Sequence, residues 1–96
     1  MGLFDIFSRK KPVVSEKDRR DALLKNGRIA EGTIVDSDSD KYGNEIVYYV
    51  YSIHGIDFES SDALTEEQKS DILAYAPGAK VSIRFDNRNP GNSVLV

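Results

Sequence analysis

The chain has 96 residues, no cysteine and a net charge of −3. That is room for one small domain, and it excludes a multi-domain enzyme, a disulfide-stapled fold and a thiolate metal site. The charge is divided unevenly: residues 1–27 sum to +3 and residues 28–96 to −6, so a basic leader precedes an acidic body that would repel phosphate backbones.

In chain order, MGLFDIFSRKKP comes first. Leu3, Phe4, Ile6 and Phe7 fall within two helical turns, and Arg9, Lys10 and Lys11 follow at once. An apolar face beside a cationic cluster is what an interfacial membrane anchor requires, through ring burial between headgroups and attraction to anionic lipid. The segment has no secretory-signal pattern, and Ile6 occupies the position where N-myristoylation needs Ser or Thr. We expect neither cleavage nor a membrane span, and a cytoplasmic protein that meets the inner face of the membrane through this tail.

SEKDRRDALLKNG reads as a helix capped by Ser15 with Asp18 three residues on and closed by Gly27. Its apolar content is thin: Ala22, Leu23 and Leu24. RIAEGTIVD is a β-branched strand, expected to bend or bulge at Gly32. EIVYYVYSI has apolar residues on both faces and reads as a central strand; His54-Gly55 is a two-residue turn, and IDFES returns with Ile56 and Phe58 inward. LTEEQKSDILAYAPG changes to helical period, with a Thr65/Gln68 capping box and an apolar edge of Ile72, Leu73 and Ala76, and ends at Pro77-Gly78. AKVSIRFDN alternates cleanly, RNPGN turns, and SVLV closes.

Between the first two strands, DSDSDKYGNE sets Asp36, Asp38 and Asp40 at the first, third and fifth positions of a calcium-loop template. Lys41 replaces the obligatory glycine, and Val47 replaces the closing glutamate. The three aspartates are therefore weak metal candidates, and the stretch reads as a solvated hairpin loop. His54 has no second histidine to share a metal, and no triad is signalled around Ser60, Ser61 and Asp62. We expect no enzymatic activity and no cofactor.

The elements add up to an α+β protein, mainly β: a small five-stranded, partly closed barrel in the order β-β-β-α-β-β, oligonucleotide-binding-like or another small barrel, preceded by a helix. Residues 1–12 form the tail, 13–27 the helix and 28–96 the barrel. Tyr49 and Tyr51 are candidates for a partner surface. Stacking of single-stranded nucleic acid is the alternative use of these aromatics, but the strands that carry them offer Glu45, Asp57 and Glu59 instead of cations. The composition thus favours a protein partner over a nucleic acid and leaves the oligomeric state open.

Two resemblances add to this. Leu3, Asp5, Phe7 and Ser8-Arg9-Lys10-Lys11 resemble the membrane-targeting start of the bacterial division-site topological specificity factor, which implies lipid contact by the tail. Gly32-Thr33-Ile34-Val35-Asp36, Val47-Tyr48-Tyr49-Val50-Tyr51, Gly55, Phe58, Pro77-Gly78, Val81, Ile83, Phe85-Asp86 and Asn89-Pro90 are similar to a family of bacterial β-rich domains of unknown function. That likeness spans residues 30–96, implies no catalytic residues and no ligand, and implies a membrane-proximal setting.

Overall fold

A computed structural model describes residues 15–96. Helix α1 (Glu16–Asn26) is followed by β1 (Arg28–Ser39), β2 (Glu45–Ile53), β3 (Ile56–Ala63), a single turn α2 (Glu66–Lys69), a 3-10 turn (Ile72–Tyr75), β4 (Lys80–Phe85) and β5 (Ser93–Leu95). All five strands form one antiparallel sheet in the order β3-β2-β1-β4-β5. The molecule is the expected α+β partly closed barrel with a helix in front.

Curvature comes from β1, which changes partners along its length. Arg28–Thr33 pairs with β4, whereas Thr33–Ser39 pairs with β2. The bulge lies at Val35, where the register shifts between Ile34 and Asp36, and not at Gly32 as the sequence suggests. Gly32 instead allows close approach: a Cβ there would stand 3.2 Å from the Val50 carbonyl oxygen and 3.5 Å from Ile83. At the bulge, the backbone of Ile34 bonds Ala79 and Gly78 on the chain that enters β4, so the bend is held from outside the ladder.

Inward side chains of all five strands make the core. Ile34, Val47, Tyr49, Ile83 and Leu95 are almost wholly excluded from solvent. Tyr49, Tyr51 and Phe58 stack through it with centroid separations of 5.8 and 5.5 Å. Two of these rings carry a hydroxyl that needs a partner when buried. The Tyr49 hydroxyl meets Ser93 Oγ at 2.7 Å, and the Tyr51 hydroxyl donates to the Pro90 carbonyl at 2.6 Å.

The barrel closes between β3 and β5 through side chains. On the free edge of β5, Leu95 N–H donates to Asp62 Oδ2 at 3.0 Å, while Arg20 donates to the same oxygen at 2.5 Å. Arg19 donates to the Ser93 carbonyl at 2.9 Å and to Asn92 at 2.7 Å. Helix α1 thus seals the seam mainly by charge-assisted hydrogen bonds, since Leu23 is its one buried residue. That single side chain contributes about 2 kcal/mol.

Caps and turns follow the sequence closely. Ser15 accepts from Asp18 N–H, and Thr65 and Gln68 form the reciprocal box. The helix expected from Thr65 to Tyr75 is interrupted, because Asp71 adopts φ −131°, ψ 65° and divides it into α2 and the 3-10 turn. Its expected apolar edge is not buried, and Leu73 is 81% exposed.

Candidate interaction surfaces

Tyr49 and Tyr51 do not form a partner surface. Their exposures are 0% and 3%, because alternation along β2 turns Val47, Tyr49, Tyr51 and Ile53 into the barrel. Burial holds the Tyr49 phenol above its ordinary pKa, and hydrogen bonds with Ser93 and Ser60 act in the opposite direction. Of the β2 tyrosines only Tyr48 faces outward, flanked in register by Asp36 and Ser61. A single nucleic-acid strand would therefore meet carboxylates where it needs cations.

The acidic stretch divides into two parts. Asp36 and Asp38 belong to β1, which runs on to Ser39, so they are strand residues opposite Tyr48 and Ile46 and not part of a loop. Each turns one carboxylate oxygen to the next backbone N–H, that of Ser37 and that of Ser39. Asp40 builds the loop itself. It accepts from the backbone N–H groups of Tyr42 and Asn44 and from the Asn44 amide, each at 2.9 Å, and Gly43 takes a φ of 84°. These bonds, the Asn44 side chain first, hold Asp40 below the ordinary carboxylate pKa. Among the described residues, no three His, Cys, Asp or Glu side chains converge as a metal site.

Asp62 is the residue that sequence reasoning misses. It is 8% exposed and lies within β3. Its alternation with Phe58 and Ser60 places it inward, but nothing in the local sequence identifies Arg20, 42 positions away, as its partner. His54, exposed, has the φ of 53° needed for a tight turn with Gly55 at 80°.

Two outward apolar areas stand out among the described residues. Beside α1 and the 3-10 turn, Leu24, Ile72, Leu73 and Val96 are 39%, 46%, 81% and 48% exposed, and a groove of about 470 Å³ bounded by Leu24, Tyr75 and Val96 opens there. On the outward face of β2, Ile46, Tyr48 and Val50 form a half-buried row, with Val35 exposed at the neighbouring bulge. Leu3, Phe4, Ile6, Phe7, Arg9, Lys10 and Lys11 lie outside the described residues. No helix among the described residues is long and apolar enough to cross a membrane.

No curated protein and no solved structure matches the chain. One family model, described as Domain of unknown function (DUF3592), matches residues 26–96, a span that holds the whole sheet and the close of α1. The chain belongs to this family of domains of unknown function.

Proposed function

We propose that the protein is a non-catalytic interaction module, held at an anionic membrane surface by residues 3–11 and presenting its barrel to a protein partner. The observation that carries the membrane part is the segregation of charge and apolar residues. Four large apolar side chains and three cations occupy residues 3–11, whereas residues 28–96 sum to −6. An acidic body is repelled by anionic lipid, so it would face away while the tail engages. The membrane-proximal setting implied by the resemblance of residues 30–96 to bacterial β-rich domains supports the same reading.

The body supports a binding role by what its surface offers. Exposed Leu24 and Val96 border an open groove with Tyr75 of the 3-10 turn, whose Ile72 and Leu73 are exposed as well, and exposed apolar area of this kind marks protein contacts. Its buried polar groups are engaged in closing the barrel: Asp62 with Arg20 and Leu95, Tyr49 with Ser93.

Vesicle co-sedimentation of the full chain tests the anchor. The wild-type chain should pellet with anionic vesicles and not with neutral ones, and Phe4→Ser/Phe7→Ser should abolish pelleting without changing the barrel's amide spectrum. Equal, negligible pelleting of both chains removes the membrane reading.

A further inference from the structure

Helix α1 stands on the barrel along one narrow row. Leu23 is buried, Arg19 and Arg20 are half-buried, and every other residue of the helix is exposed. Open space flanks the row on both sides. A cleft of about 610 Å³ separates Ala22 and Asn26 from Asp86 and Arg88 of the β4–β5 turn, and the groove of about 470 Å³ lies beside Arg20 and Leu24. The helix packs chiefly on β5 and β4. Leu23 and Val94 are both buried, yet neither belongs to the contiguous core that fills the barrel. That core is complete without α1, and the family span, residues 26–96, likewise takes in the whole sheet and only the close of the helix.

What α1 covers is the free edge of β5. Val96 N–H donates to the Ser82 carbonyl on the β4 side at 3.1 Å, so antiparallel alternation points the backbone groups of Ser93 and Leu95 the other way. There the Ser93 carbonyl accepts from Arg19 at 2.9 Å, the Leu95 carbonyl accepts from Arg20 at 3.5 Å, and Leu95 N–H donates to Asp62 at 3.0 Å. Arg20 also holds that same Asp62 oxygen. The Asp62 carboxylate is buried, and a buried charge is costly once its counter-ion leaves. Withdrawal of Arg20 therefore sends the carboxylate to water, and Leu95 N–H loses its acceptor.

The joint is fixed on the barrel side. The Gly27 carbonyl accepts from Arg84 Nη1 at 3.0 Å, and β1 begins at the next residue. We infer that α1 is a hinged strap: it leaves the barrel as one unit, pivoting at Gly27 and uncovering the β5 edge while the five-stranded sheet stays folded. A helix of 11 residues is marginal in water without its support, so detachment also melts it. In place, the strap blocks an edge that is otherwise a template for strand pairing. Its operation does not depend on lipid binding.

Native-state hydrogen exchange of the full chain reads the strap directly. The amides of Leu24 and Leu95 should share one opening equilibrium, well above that of Ile34, a fully buried sheet residue whose N–H is bonded to Ala79. The Leu23 side chain carries no hydrogen-bonding atom, so only coupling through the helix can carry the effect of Leu23→Ala to the Leu95 amide. In Leu23→Ala both amides should exchange faster by the same factor, roughly tenfold or more, with Ile34 unchanged and the barrel spectrum retained. Three results overturn the strap. Leu95 exchanges as slowly as Ile34; Leu95 is unmoved by Leu23→Ala; or all three amides accelerate alike, which would make α1 part of the barrel's one cooperative unit.

Discussion

Single residues carry the closure of this barrel. Asp62 accepts from both Arg20 and the Leu95 backbone, so Asp62→Ala leaves a seam N–H unpartnered and a guanidinium with only the Leu95 carbonyl at 3.5 Å. We expect a loss of about 2–3 kcal/mol in urea unfolding, and a smaller loss for Asp62→Asn, which keeps an acceptor. Tyr49→Phe removes one buried hydroxyl and leaves Ser93 without it, which should cost about 1 kcal/mol. The same phenol sets an alkaline limit. Its pKa is raised by burial, so its contribution is complete below the ordinary tyrosine value of about 10 and is lost as pH rises through the folded value. Thermal unfolding of the wild type should therefore weaken above that pH more steeply than unfolding of Tyr49→Phe.

Among the elements, α1 is joined to the barrel at a point with no spare volume. A Cβ on Gly27 would stand 2.5 Å from the Leu23 carbonyl oxygen and 3.1 Å from Arg84 Cβ, although its φ of −71° is open to any residue. Gly27→Ala should destabilise by about 1–3 kcal/mol, with amide exchange in α1 accelerated ahead of exchange in the sheet. The β1–β2 loop answers to a different variable. Asp40 is held below the ordinary aspartate pKa by its loop hydrogen bonds. Its contribution is present above that ordinary value and lost as pH falls through the lowered one. Amide shifts of Tyr42 and Asn44 should titrate with that depressed midpoint and be flat under added calcium. A calcium-dependent shift would restore Asp36, Asp38 and Asp40 as a metal site.

These elements also show what a sequence reveals and what it hides. Local patterns transferred well. The Thr65/Gln68 box, the Ser15 cap, the His54-Gly55 turn and the alternation of β4 each depend on neighbours within a few residues. Features set by distant partners did not transfer. The extension of β1 through Asp36 and Asp38 follows from pairing with Ile46 and Tyr48, and the bulge at Val35 follows from Ala79 and Gly78 reaching Ile34. Tyr49 and Tyr51 were legible as one face of a strand, but which face turned inward depended on the closed sheet. Asp62 acquired its role only when α1 placed Arg20 against it.

For the whole molecule, the proposed function has the barrel as a stable body and the N-terminal segment as its means of attachment. An acidic body with a basic, apolar leader is a polarised object, and its orientation at a charged interface follows from Coulomb attraction within a Debye length. The three cations of the segment should contribute about 1 kcal/mol each near an anionic surface, roughly a hundredfold in partition.

Partition of the full chain onto vesicles of increasing anionic lipid content, at fixed low salt, tests this most directly. Binding should climb by roughly a hundredfold from neutral to strongly anionic vesicles and collapse in Phe4→Ser/Phe7→Ser. Partition that is negligible at every composition, or that does not depend on the lipid charge, would contradict the account.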